Sequence, residues 1–293
     1  MAQTTNERSA TTKAHRSRSQ RRTSERYGPW AVVTGASDGI GREFASRLAA
    51  SGVDLVLVAR RAEMLATLAR ELEVQHGIRT VAVAADLATS AGVHEVIARS
   101  EPLEVALLVA AAGFGTSSAF VDGDVVNELA MIDVNCRAVA ALTHHFGARF
   151  AARRRGGLVL LSSLVAFQGV PRAANYAATK AYVQTLAEGL AHELRPFGVD
   201  VIACAPGPIR SGFGQRANMT MGLAQTPAAV AQATLDTLGK QGTVRPGWLS
   251  KLLELSLALL PRWGRVRMMG IVMGGMTKHQ GRGESGVQKE EDK

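Results

Sequence analysis

Six short apolar runs recur along the chain: Trp30–Val33, Asp54–Ala59, Thr80–Ala85, Val105–Ala110, Leu158–Ser162 and Val199–Ala205. Helical patterns lie between them, near 41–50, 62–75, 90–99, 124–153 and 174–195. The runs are continuously apolar rather than alternating. Strands of that kind are buried on both faces, as in parallel sheets covered by helices. Strand–helix repetition with right-handed crossovers predicts an α/β fold built on a doubly wound parallel sheet. No linker interrupts 28–245, so that span reads as one domain. With 46% apolar residues in 293, a sizeable core is available.

The flanks differ. Residues 1–27 are expected to be a disordered basic arm, because 1–26 hold seven Lys or Arg against Glu7 and Glu25 and lack apolar periodicity. The arm could touch nucleic acid or an anionic membrane, but a solvated tail is the simpler reading, and no nucleic-acid partner is expected. It has no apolar core of the secretory kind, although its Arg, Ser and Thr content also suits an organelle transit peptide. Residues 246–276 read as a helical C-terminal extension. Leu249, Leu252, Leu253, Leu257 and Leu260 fall at helical spacing, and Val266–Met276 is rich in Met and Gly. Packing on the domain or on another subunit is the plain reading. A hydrophobic lid or a peripheral membrane contact is the sharper one. Residues 277–293 are polar and are expected to be disordered. Cys136 and Cys204 are too few for a disulfide framework, which suits a reducing, cytoplasmic setting. The His residues show no metal-ligand spacing, so no metal is expected.

After the first run comes Thr-Gly-Ala-Ser-Asp-Gly-Ile-Gly, residues 34–41, followed by a helical pattern. Strand, glycine turn, helix is the context in which such glycines bind a phosphate. Gly35 allows the tight turn, Gly39 lets backbone approach a pyrophosphate, and Gly41 lets the helix sit close to the strand. Ser37, Asp38 and Ile40 complete the turn, whose amides face a negative charge. A glycine turn between strand and helix is also common without any ligand.

Tyr176 and Lys180 sit four apart in a helical pattern and point the same way. A nearby ammonium is expected to lower the phenol's pKa, so that the tyrosine can exchange a proton with a carbonyl or alcohol oxygen. Ser163 follows the fifth run, thirteen residues before Tyr176, at a carboxyl strand end where ligands bind. Its hydroxyl could meet the same oxygen. Asn135, within the 124–153 pattern, could hold a water that passes protons to Lys180.

In these residues the chain resembles the short-chain dehydrogenase/reductase family. The matches are the glycine turn, Asp86-Leu87, Asn135, Ser163, Tyr176-x-x-x-Lys180 and Pro206-Gly-Pro-Ile-Arg-Ser211, over about residues 28–215. The resemblance implies a Rossmann-type fold binding NAD(H) or NADP(H). It implies Tyr176 as general acid/base, Lys180 tuning it and holding the nicotinamide ribose, Ser163 orienting the substrate oxygen and Asn135 completing a proton relay. Asp86 would approach the adenine. Pro206, Gly207, Ile209 and Ser211 would pass the nicotinamide. Relatives commonly associate through the long helices after strands four and five, so a homodimer or homotetramer is expected.

The chain departs from the family at Ala110-Ala111-Ala112-Gly113, where Asn-Asn-Ala-Gly is usual, and Ser211 replaces Thr. The lost Asn side chains bear on local stability; Ala112 and Gly113 still flank the cofactor. An acid at the end of strand two would bind the ribose 2′-hydroxyl of NAD, but Ala59-Arg60-Arg61 stands there. A guanidinium suits a phosphate, so NADP(H) is predicted over NAD(H). Asp38 argues mildly the other way. Segments 114–120, 164–170 and 209–223 are mostly apolar, favouring a lipophilic ketone or alcohol as substrate. The alternative is a non-catalytic dinucleotide-binding regulatory protein on the same fold.

Overall fold

The computed structural model describes residues 17–220, 224–247 and 260–280. In the amino-terminal half lie α1 (Arg18–Tyr27), β1 (Trp30–Thr34), α2 (Gly39–Ala50), β2 (Asp54–Ala59), α3 (Ala62–His76), β3 (Thr80–Ala84), α4 (Ser90–Ser100) and β4 (Val105–Ala110). There follow α5 (Val125–Ile132), α6 (Ala138–Arg153), β5 (Gly156–Leu161), α7 (Ala174–Glu193), β6 (Val199–Cys204), α8 (Phe213–Arg216), α9 (Pro227–Thr237), β7 (Thr243–Val244) and α10 (Arg262–Met276).

The seven strands form one parallel sheet in the order β3-β2-β1-β4-β5-β6-β7. This is the doubly wound α/β sheet expected from the six runs, extended by β7. That two-residue strand is too short to stand out as an apolar run. β1, β4 and β5 are buried along their whole length, which is why their sequences do not alternate. The pleat still divides them. Ala31 and Val33 pack against Phe44, Leu48, Leu65 and Val230 of α2, α3 and α9. Val32 points the other way, to a cluster holding Val96, Leu142, Phe146, Phe150 and Val183 of α4, α6 and α7. The strand order reverses between β1 and β4, which opens a crevice at their carboxyl ends.

The two alanines at the end of β4 are held without the usual Asn side chains. Thr34 Oγ1 accepts a hydrogen bond from Ala112 N at 3.0 Å. The expected helix over 124–153 is interrupted by a π-turn at Asp133–Arg137, between α5 and α6, and Asn135 sits in that turn.

The basic arm, expected to be disordered over residues 1–27, is ordered in part: Arg18–Tyr27 form α1, and residues 1–16 lie outside the described residues. A capping box starts the helix, with Ser17 and Gln20 exchanging side-chain and backbone hydrogen bonds. Arg155 closes it, donating to Glu25 O (2.7 Å), Arg26 O (3.1 Å) and Gly28 O (2.9 Å). Arg26 grips Asp200 with two bonds of 2.6 and 2.8 Å, and Tyr27 donates to the same carboxylate at 2.7 Å. The Tyr27 ring is buried against Gly157, where a Cβ would fall 2.9 Å from Tyr27 Cε1. The sequence signal was masked because one apolar anchor, Tyr27, does the work of a stripe.

At the other end, α10 realises the second half of the expected extension. Residues 248–259, with most of the leucine stripe, lie outside the described residues. The tail expected to be disordered from 277 is ordered as far as Gln280, through a 3₁₀ turn at Lys278–Gln280. Arg172 donates to Gln280 Oε1 at 2.8 Å, and Gln280 Nε2 donates to Asn218 O at 2.7 Å. Among the described residues no helix is long and apolar enough to cross a membrane.

Candidate active site

A cleft of about 1090 Å³ lies over the carboxyl ends of the strands. Its first wall is the turn between β1 and α2. Gly35 has φ +68° and packs on the end of β4, where a Cβ would fall 2.9 Å from Ala112 Cα. At Gly41 a Cβ would fall 2.2 Å from Gly35 O, so only glycine lets α2 begin so close to the strand. Asp38 caps α2, its Oδ1 accepting from Gly39 N at 2.7 Å. Ser37 accepts a hydrogen bond from Arg61 Nη2 at 3.1 Å, which ties the turn to the end of β2. Arg60, exposed, faces the same cleft. Ile40, Asp86, Leu87, Ala112, Gly113, Pro206, Gly207, Ile209 and Ser211 also line it. Leu87 is at the same time part of the core.

The second wall carries the titratable groups. Tyr176 lies in the first turn of α7, and Lys180 one turn further on, with its Nζ 5.8 Å from the Tyr176 ring centroid. Lys180 is buried and donates to Leu161 O at 2.8 Å. Ser163 lies just beyond β5 and caps a 3₁₀ turn at Leu164–Phe167, its Oγ accepting from Val165 N at 3.4 Å. Tyr176, Ser163 and Lys180 all face the cleft. Asn135 stands behind its wall, fully buried. Its Nδ2 donates to Phe114 O (2.9 Å) and Thr179 Oγ1 (3.0 Å), and its Oδ1 accepts from Phe114 N (3.1 Å). Gly113 separates Asn135 from Lys180. A Cβ there would fall 2.9 Å from Asn135 Oδ1 and 3.3 Å from Lys180 Nζ.

The electrostatics differ from the sequence expectation. Burial pushes the Tyr176 phenol up to about 12, with the Ser163 hydroxyl pulling the other way. Burial also lowers Lys180 to about 8, opposed by the thiols of Cys136 and Cys204. A lowered phenol was expected from the neighbouring ammonium. Desolvation against the cleft wall is the largest influence on the phenol, and it acts opposite to the lowering expected from an ammonium.

The third wall is apolar and comes partly from residues the sequence did not assign to the site. Met269 and Met273 of α10 pack with Val165, Ala173, Tyr176 and Met219. Met276 joins them at helical spacing, and all three methionines line the cleft. The i, i+4, i+7 spacing was legible but equally suits ordinary packing. Phe213 packs on Tyr176 with ring centroids 5.3 Å apart and planes tilted by 46°, in space that Gly115 leaves open. Phe120, by contrast, is 61% exposed and stands away from the cleft.

A family model described as short chain dehydrogenase matches residues 29–222. The chain belongs to the short-chain dehydrogenase/reductase family. It is 30% identical over 234 residues to a 7β-hydroxysteroid dehydrogenase of Collinsella aerofaciens, covering 78% of this chain and 89% of that one. It is 32% identical over 221 residues to a very-long-chain 3-oxoacyl-CoA reductase of Aspergillus fumigatus, covering 73% of this chain and 63% of that one. A solved 7β-hydroxysteroid dehydrogenase superposes with a TM-score of 0.78 at 28% identity, over 84% of this chain and 98% of the other. A short-chain dehydrogenase of Sphingobium yanoikuyae in complex with NADPH superposes with a TM-score of 0.72 at 30% identity, over 79% and 93%. Membership makes this short-chain dehydrogenase/reductase an oxidoreductase of CH–OH and C=O groups on a small molecule, using NAD(P). The glycine cradle at 35–41, closed to any Cβ at Gly41, fits a dinucleotide pyrophosphate.

Proposed function

We propose that this chain interconverts a ketone and a secondary alcohol on a hydrophobic small molecule with NADP(H). The observation that carries the reading is the place of Tyr176, which lines the cleft with Ser163 and Lys180 between the glycine cradle and a methionine-lined pocket. The bound nicotinamide would supply or accept the hydride. Everything else falls to the protein. Ser163 holds the substrate oxygen, and Tyr176, protonated at neutral pH by its raised pKa, gives that oxygen a proton in the reductive direction. Lys180, titrating near 8, recharges the phenol and offers an ammonium to the nicotinamide ribose. Asn135 fixes the Phe114 backbone and flanks Gly113 opposite Lys180, close enough for one water to continue the relay.

NADP(H) is favoured because Arg60 and Arg61 end β2 where a 2′-phosphate would lie. Asp38 does not oppose this, since it is turned toward Gly39 N and the Gly212 backbone. The methionine wall favours a bulky lipophilic substrate, in keeping with the relatives named for hydroxysteroids and for 3-oxoacyl-CoA. Residues 28–245 form the catalytic domain in this reading, with α10 as its roof. A homo-oligomer is supported by Val125, Val126, Leu129 and Ile132, which leave one face of α5 apolar and exposed. The free thiols suit a cytoplasmic setting. The test is absorbance of NADPH and NADH against a panel of steroid, 3-oxoacyl and bicyclic ketones. Turnover of bulky ketones with NADPH is expected; equal use of NADH, or activity confined to charged small metabolites, overturns the reading.

A further inference from the structure

We propose that Glu128, on α5, is a positioning residue for the reaction: its carboxylate ties the first turn of α7 to the loop after β4, and so fixes the Tyr176 ring in the cleft. The inference rests on the reading of Tyr176 as the proton donor.

Glu128 is buried, although α5 turns the apolar side chains of Val125, Val126 and Leu129 to solvent. A carboxylate taken out of water is costly unless its oxygens are satisfied. Here both are. Oε1 accepts from Thr116 Oγ1 at 2.6 Å, and Oε2 accepts from Asn175 Nδ2 at 2.7 Å. The same Asn175 Nδ2 donates to Glu128 O at 3.0 Å, so side chain and main chain of one residue grip one amide. An apolar residue could fill the space, but it could not join two segments through directed bonds. Glu128 itself does not line the cleft, so it acts through Asn175 and Thr116.

Both segments bear on Tyr176. Asn175 precedes it in the chain and is the second residue of α7. That helix starts from Ala173, which has no side-chain hydrogen bond to cap it, and the Glu128–Asn175 contact anchors its first turn instead. A negative charge beside a helix N-terminus is also favoured by the peptide dipoles. On the other side, Thr116 follows Gly115, whose backbone lies against the phenol ring: a Cβ there would fall 3.0 Å from Tyr176 Cδ2. Asn135 holds the residue before Gly115, Phe114, by its N–H and its carbonyl. Asn135 and Glu128 therefore pin this loop on either side of Gly115. With Glu128 removed, the ring loses the anchor of its own helix turn and that of the backbone packed on its face.

The test uses the full chain with Glu128→Ala, Glu128→Gln, Asn175→Ala and the double variant Glu128→Ala/Asn175→Ala. Reduction of a steroid ketone and of a bicyclic ketone by NADPH is measured below each variant's melting temperature, and NADPH affinity is read separately by fluorescence. Glu128→Ala is expected to lower kcat about tenfold or more, with KM and NADPH affinity within about twofold of the parent. Glu128→Gln keeps an oxygen for Asn175 and can donate to Thr116 Oγ1, so it should recover most of kcat. Asn175→Ala should lose kcat on its own, and the double variant should be about as slow as Glu128→Ala, because the two residues act through one contact. Parental kcat in Glu128→Ala and Asn175→Ala overturns the tie, as does a double variant whose loss is the product of the two. Asn175 is only half-buried, and its variant decides the matter if Glu128→Ala does not fold: parental kcat there overturns the tie. These outcomes leave the reading of Tyr176 standing if Tyr176→Phe is inactive. A Tyr176→Phe variant that keeps turnover, or a parent inert toward both ketones, overturns that reading and the tie together.

Discussion

Lys180 is held inside the protein at a cost to stability, and the cost has a pH signature. Its ammonium titrates near 8 in the folded chain because burial disfavours the charged form. In the unfolded chain the same group titrates near ~10.4. Between these values the unfolded state binds more protons, so folding stability rises with pH across that window and is flat below it. The shift amounts to about 3 kcal/mol at neutral pH, most of which is recovered by pH 10. Lys180→Met keeps the volume and removes the charge. It also leaves Leu161 O without its 2.8 Å donor, a loss of about 1–2 kcal/mol that does not vary with pH. Tyr176 and Cys204 titrate in both proteins and largely cancel. The variant should therefore gain on the parent at pH 7 and fall behind near pH 10, the difference moving by about 2–3 kcal/mol. Urea unfolding of both proteins at the two pH values measures this. A difference that stays constant with pH would refute the claim that Lys180 is buried as a strained cation.

Other consequences are as direct. Tyr27→Ala should destabilise by about 3–5 kcal/mol in thermal or urea unfolding, since it empties the space over Gly157 and removes a donor from Asp200, whereas deleting residues 1–16 should leave α1 and its contacts in place. Gly113→Ala should cut turnover at least tenfold, because the new methyl meets Asn135 Oδ1 and Lys180 Nζ at 2.9 and 3.3 Å; steady-state kinetics beside a melting curve separates this from unfolding. Ketone reduction should hold level through neutral pH and alcohol oxidation should climb toward alkaline pH, because Tyr176 at about 12 is a ready proton donor and must be deprotonated to act as base; initial rates in both directions from pH 6 to 10 check the sign.

Much of this fold was legible because its signals are local. Continuous apolar runs follow from burial on both faces, and Gly35 and Gly41 are read from a turn whose backbone admits no other residue. Tyr176 and Lys180 share a helix face by spacing alone. What the sequence hid depends on distant partners. The basic arm looked unstructured because α1 is fastened by Asp200 and Arg155, residues far along the chain. The π-turn that aims Asn135 at Phe114 has no composition of its own. The methionines of α10 had the right spacing, but only packing reveals that they roof Tyr176. The direction of the Tyr176 pKa was misjudged for the same reason, since burial is a property of the folded whole.

The central claim is that Tyr176 exchanges the proton while the rest of the cleft holds cofactor and substrate. Its most direct measurement is Tyr176→Phe, assayed for ketone-dependent NADPH oxidation and, separately, for NADPH binding by fluorescence. Turnover should vanish while NADPH binds as in the parent. Unchanged turnover in the variant would contradict the account.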